Sequence, residues 1–195
     1  MQIKKIDIKM RIKQTATEML LITKFKDVSM RDVAKSSNMT VGNIYRYYEN
    51  KEILFDEIVG ETYSNLIKLV KITEFVKKFM KNKTNINEKT VYKNTRFKTF
   101  VLKQILKIVC DNTKELYILI NTSEGSKYQD TAKILFEMIK NTILKMIANI
   151  SEDEAETYAF ITVSTLSFLL KKHINDSVAL QNALEKFCIK LFESF

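Results

Sequence analysis

Apolar residues return every three or four positions along nearly the whole chain, and nowhere do they alternate with polar ones between glycine-rich turns. The pattern predicts an all-α protein of about nine helices. The first helix, about Lys5 to Ile22, carries Ile8, Ile12, Ala16, Met19 and Leu20 as one stripe. Two short helices follow. Ser29, with Asp32 three residues on, is a capping pair for a helix whose Met30, Val33 and Ala34 face inward. That helix stops around Ser36-Ser37-Asn38, where Asn38 is one of the few non-glycine residues that tolerate a left-handed backbone. Thr40 then caps a third helix, Val41 to Tyr48, with Ile44 and Tyr48 on one side. Thr40, Val41, Gly42, Asn43, Tyr45 and Tyr47 are left largely outside that small core.

From Asn50 a much longer helix runs through Phe55, Ile58, Val59, Tyr63, Leu66, Ile67 and Val70 toward Met80, long enough to act as a connector. A polar break at Lys81 to Glu88 ends it. The next helix spans about Asn94 to Cys110, and Asn112 with Glu115 caps a short one through Leu119. Thr122 to Ser126 is the plainest loop in the chain, followed by a helix from about Tyr128 to Asn149. Ser151 with Glu154 is a capping box for Glu152 to Lys172, and Asp176 caps Ser177 to Glu193. The expected division is a small domain over 1–49 and a larger one over 50–195, with 50–80 as the connecting helix.

The third helix carries the chemistry. A helix that presents an amide, a glycine and phenols to solvent packs poorly but touches DNA well. Its N-terminal residues fit against base edges in the major groove, where an Asn such as Asn43 pairs bidentately with adenine, and Gly42 lets the backbone come close. Tyr45, Arg46, Tyr47 and Lys51 are within reach of phosphates, as are the free amides after Asn50. The competing reading is an ordinary helical corner with half-buried tyrosines. Against it stands the joint occurrence of turn, polar third helix, tyrosine pair and Asn50-Lys51 restart near the N-terminus.

Composition narrows the picture only a little. The 195 residues contain no proline and three glycines, and 46% are apolar, which fits helices throughout. A net charge of +9 suits a nucleic-acid partner, but lysines spread along the whole chain supply most of it. The arginines say more: Arg11, Arg31 and Arg46 fall in the first 55 residues, leaving Arg96 for the rest. Arginine is the better fork for phosphates and base edges.

On these residues, from about Ile8 to Phe55, the chain resembles the DNA-binding domain of TetR-family transcriptional regulators. The carrying positions are Val28-Ser29, Val33-Ala34, Ser37-Asn38, Tyr45-Arg46-Tyr47-Tyr48 and Lys51-Glu52-Ile53-Leu54-Phe55. It departs from the family pattern at Lys24, where a turn glycine is usual, at Val28 in place of Thr, and at Asn38 in place of the second turn glycine. Lys24 then requires either a left-handed lysine or a different loop path. By the same resemblance Ser29 and Arg31, at the start of the second helix, lie near the DNA backbone or a base edge.

No Gly-rich phosphate loop, HExxH or GxSxG occurs, and His173 is the single histidine, so catalysis and a metal site are not expected and no cofactor is implied. Cys110 and Cys188 stand apart and read as small apolar thiols. The longest apolar stretch, Phe160 to Leu170, falls well short of a membrane span, so a cytoplasmic protein without a membrane partner is expected.

The helix Glu152 to Lys172 is apolar around most of its circumference and needs more than one face buried. With its successor it suggests a homodimer closed as a four-helix bundle through 152–172 and 177–193, in agreement with the resemblance. Such a dimer reads a palindromic operator on double-stranded DNA. The resemblance further implies a small effector entering the larger domain and separating the two reading heads. Tyr63, Phe97, Phe100, Tyr117, Phe136, Met138 and Phe160 are the candidates by position for a lining that suits a lipophilic compound, and a repressor released by it. The alternative is a helical regulator or interaction protein controlled by a protein partner.

Overall fold

The computed structural model describes residues 2–84, 95–147 and 149–193, with side chains described over 6–68, 103–145, 147 and 149–191. Among them lie nine α-helices and no strand: α1 (Gln2–Leu20), α2 (Met30–Ser36), α3 (Val41–Tyr45), α4 (Lys51–Thr84), α5 (Thr95–Asp111), α6 (Thr113–Asn121), α7 (Thr131–Met146), α8 (Glu152–Lys172) and α9 (Ser177–Glu193). A single 3-10 turn, Phe25–Asp27, joins α1 to α2. The chain divides into two compact units, one of residues 1–63 with 114–131, the other of 64–113 with 132–195. Compactness therefore does not follow the division expected at residue 50: the first turns of α4 and the whole of α6 join the N-terminal helices.

The first unit is built as the apolar periodicity requires. Ile12, Ala16 and Leu20 of α1, Val33 and Ala34 of α2, Ile44 of α3, and Leu54, Phe55, Ile58 and Val59 of α4 are all at most 3% exposed and join Ile118 and Leu119 of α6 in one core. Each of the Val, Leu, Ile and Phe side chains among them contributes about 1.5–3 kcal/mol on burial, and the alanines less. Local chemistry sets the boundaries. The Ser29 hydroxyl accepts from the Asp32 amide at 3.2 Å while the Asp32 carboxylate accepts from the Ser29 amide at 3.1 Å, a complete capping box. Asn38 takes φ +53 and turns the chain toward α3. Thr40 caps α3, and Asn50 Oδ1 accepts from the Ile53 amide at 2.9 Å to start α4.

The segment between α6 and α7 is not the plain loop expected from its composition. Thr122, Ser123 and Ser126 are buried, and their hydroxyls donate to nearby main-chain carbonyls, Ser123 to Leu119 at 2.7 Å and Ser126 to Ser123 at 2.7 Å. It lies against the turn between α1 and α2. Phe25 N donates to Thr122 O at 2.7 Å, Lys26 N donates to Glu124 O at 3.0 Å, and the Glu124 carboxylate holds Lys24 and Lys26 at 2.6 Å each. Those bonds carry the Glu124 carboxyl down to about 2. Gly125, at φ +86, is the residue that permits this approach: a Cβ there would stand 2.8 Å from Lys26 Cβ. Lys24 itself has φ −68, so the loop takes a different path and needs no left-handed lysine.

In the second unit Leu106 and Val109 of α5, Leu135 and Ile143 of α7, Ala155, Ala159, Leu169 and Leu170 of α8, and Leu180 and Leu184 of α9 are buried. Of the three expected caps two are present, while the Asn112 side-chain amide donates back to Ile108 O at 2.9 Å. Ser151 and Glu154 form a capping box, and Asp176 Oδ1 accepts from the Ala179 amide at 2.9 Å. Lys140, its side chain 12% exposed, ties α7 to the start of α8 through Glu137, Glu152 and Glu156. Burial pushes the half-buried thiols of Cys110 and Cys188 up. No helix among the described residues is long and apolar enough to cross a membrane.

Candidate DNA-binding surface

The helix α3 is only five residues long, and its hold on the rest of the unit rests on few side chains. Ile44 is fully buried and Tyr48, just beyond the helix, is 1% exposed. Thr40 accepts from the Asn43 amide at 3.3 Å, and the turn from Arg46 to Tyr48 continues on carbonyls of Asn43 and Ile44. Tyr48 also carries a polar lock. Its hydroxyl donates to Glu57 Oε1 at 3.1 Å, and Lys9 of α1 donates to Glu57 Oε2 at 2.7 Å. Burial first, and then the neighbouring Glu57 carboxylate, raise the Tyr48 phenol. Burial pushes Glu57 upward, but the bonds from Lys9 and Tyr48 outweigh it and leave the carboxyl below its ordinary value. The end of α3 is thus tied at once to α1 and to α4.

What α3 leaves outward is polar. Thr40, Gly42, Tyr45 and Arg46 are exposed, and Asn43 is half-buried. Nothing lies within 4 Å of where a Gly42 Cβ would stand, so the glycine leaves open backbone and relieves no clash inside the protein. Val41 and Tyr47 are half-buried and pack partly against the core, so they are less free than the sequence pattern alone suggests. Ser29 and Arg31 are exposed at the start of α2, where Ser29 is already engaged as the cap. An open cleft brings Thr40, Gly42, Asn43 and Arg46 together with Asn38, Met39 and, from α1, Arg11. Asn38, Met39 and Arg11 were not among the expected site residues.

Lys51, expected within reach of a phosphate, has its ammonium engaged inside the protein. Its ammonium donates to Phe25 O at 2.7 Å and Val28 O at 2.8 Å, with Lys26 O at 3.5 Å, and it sits 4.1 Å from the centre of the Phe25 ring. It closes the carbonyl end of the 3-10 turn. Tyr128 packs against α4: its ring meets Phe55 at 6.0 Å and Tyr63 at 4.8 Å, and its hydroxyl donates to Asp56. Bonds from Lys127 first, and from Tyr128, hold the Asp56 carboxyl below its usual value.

The expected effector-lining residues are dispersed. Tyr63 and Tyr117 belong to the first unit, Tyr63 against Tyr128 and Tyr117 buried. Phe136 and Met138 are half-buried on α7 in the second unit, whereas Phe160 stands 66% exposed on α8. The Phe97 and Phe100 side chains lie outside the described residues. Among the described residues no group of three or more His, Cys, Asp or Glu side chains could hold a metal ion.

Residues 15–58 match the family model described as bacterial regulatory proteins, tetR family. No curated protein matches the chain. Among solved structures, one of NalD, the secondary repressor of the MexAB-OprM multidrug efflux pump in Pseudomonas aeruginosa, is 14% identical. It aligns over 96% of this chain and 94% of that one with a TM-score of 0.49. A second structure of native NalD is 13% identical over 97% and 96% of the two chains, with a TM-score of 0.43. The matched segment begins within α1, contains both short helices and their turn, and ends in the first turns of α4, so it spans the surface described above. Over residues 15–58 the chain is thus similar to the tetR family of bacterial regulatory proteins, and the described residues that flank this segment are helical as well.

Proposed function

We propose that this regulator is a homodimeric repressor that reads a palindromic operator through α3 and lets go of it when a small lipophilic compound binds. The observation that carries the reading is the composition of α3's outward side: Thr40, Gly42, Asn43 and Arg46 line one open cleft and Tyr45 is exposed, while Ile44 is the one fully buried side chain of the helix. In this reading α3 enters the major groove, Asn43 reads a base edge and Gly42 brings the backbone close. Tyr45, Arg46 and Arg31 take phosphates. Lys51 acts at one remove, by holding the 3-10 turn that leads into α2.

Dimerisation is supported by α8 and α9. Phe160, Ile161 and Phe168 follow one stripe of α8, and Val178 and Ile189 one stripe of α9, each at least 41% exposed in the single chain. Exposed apolar side chains at helical spacing on two consecutive helices are what a four-helix dimer bundle buries. Two α3 helices related by a twofold axis then meet successive major-groove faces, and whatever alters their separation weakens binding. Release by a lipophilic compound rests on analogy with the family and on the Phe- and Met-rich composition of the larger domain.

Selection of bound fragments from the source genome at about physiological salt tests the proposal, because non-specific contacts weaken there. Recovery of one palindromic site, with Asn43→Ala costing roughly 1–3 kcal/mol of discrimination at one base pair of each half-site, is the expected result. Enrichment no better than that of the Asn43→Ala chain would overturn it.

A further inference from the structure

Cations of the first unit differ in whether the protein itself engages them. Lys9, Lys24, Lys26 and Lys127 each hold a carboxylate, and Lys51 holds carbonyls. Arg11 and Arg46 are exposed and make no side-chain hydrogen bond or ion pair among the described residues. They come from different helices, α1 and the end of α3, yet line the same open cleft with Thr40, Gly42 and Asn43. The stretch of α1 that carries Arg11 is held in place, because the next residue, Ile12, is fully buried and Lys9, two residues earlier, is bonded to Glu57. Two unneutralised guanidinium groups lining one polar cleft are an arrangement for an anion, and the planar fork of arginine matches phosphate oxygens.

We propose that Arg11 is a DNA-binding residue of α1 that grips a backbone phosphate beside the groove entered by α3, opposite the phosphate contact of Arg46. The inference rests on the proposed reading of α3 and extends the binding surface beyond the helix-turn-helix. A phosphate is the ligand, not a base edge. Ile12 and Ala16 bury the inward face of α1 in the same core that holds Ile44 of α3, so with α3 in the groove the Arg11 side chain reaches the rim and not the floor. Arg11 should therefore add affinity without adding sequence preference.

The test is fluorescence anisotropy with the intact protein and two labelled duplexes, one carrying the selected operator fragment and one of mixed sequence, over roughly 50–200 mM salt. Arg11→Gln is expected to weaken both by a similar factor, roughly three- to tenfold, and to lower the salt slope by about one per bound head. Arg11→Lys keeps the charge and should recover most of the slope but not all of the affinity. An unchanged slope and affinity for Arg11→Gln, with circular dichroism matching the parent protein, would overturn the proposal. So would an Arg11→Gln loss confined to the operator duplex, which would mean a base contact. Failure of the parent protein to prefer the operator over mixed sequence is a different result, and counts against the regulatory reading itself.

Discussion

Two regions of the same compact unit treat positive charge in opposite ways. At the turn between α1 and α2, Lys24 and Lys26 share the Glu124 carboxylate, and Lys51 is taken up by carbonyls of that turn. At the cleft beside α3, Arg11 and Arg46 have no side-chain partner among the described residues. The first region uses charge to hold the fold together, while the second leaves it available. A net charge of +9 therefore says little about DNA, because a cation already paired within the protein releases few counterions when a phosphate approaches.

The comparison is broken most severely at Gly125. Alanine there must adopt φ +86 and put a Cβ 2.8 Å from that of Lys26, a strained backbone plus an overpacked contact worth together roughly 2–4 kcal/mol. Denaturant unfolding should show that loss. A destabilisation under about 0.5 kcal/mol would mean that the 122–128 segment is not held against the turn. Lys51→Met sharpens the comparison from the other side. It removes the donor to Phe25 and Val28 while keeping the aliphatic stem, and is expected to cost about 1–2 kcal/mol of stability with the salt slope of DNA binding unchanged. A slope lowered by about one would return Lys51 to the phosphate contacts.

Local chemistry was legible in the sequence wherever its cause is local. Ser29 with Asp32, Ser151 with Glu154, the Asn50 and Asp176 caps and the left-handed Asn38 all act within three residues, so the pattern of residue types carries them. The stripe of α1 and the single anchor Ile44 of α3 follow from periodicity in the same way. What escaped is non-local. Glu124 meets Lys26 across 98 positions, and nothing in Thr122 to Ser126 marks it as anything but a solvent loop. Lys51 reads as a phosphate contact from its type and place at the start of α4, because residue type alone cannot reveal that its ammonium already has carbonyl partners. Arg11 was noticed for its chemistry, but its position on the same cleft as Arg46 depends on how α1 crosses α3.

The smallest expected effect is also the one whose sign is set most sharply. The Glu124 carboxyl is held at about 2 by its bonds to Lys24 and then Lys26, against an ordinary value of 4.5. A carboxyl depressed in the folded state stabilises the fold above its unfolded value and loses that contribution as pH falls toward the folded one. Glu124→Gln should accordingly lower the thermal midpoint slightly at neutral pH, and the gap from the parent protein should persist to about pH 5 and narrow below 4.5. Because both ion pairs are solvent-exposed, added salt should narrow it as well. A gap that stays constant from neutral pH to about pH 3 would show that Glu124 contributes through packing or its main-chain carbonyl alone. The two lysines would then be as free as Arg11 and Arg46, and the contrast between the two regions would have to be drawn from geometry and not from charge.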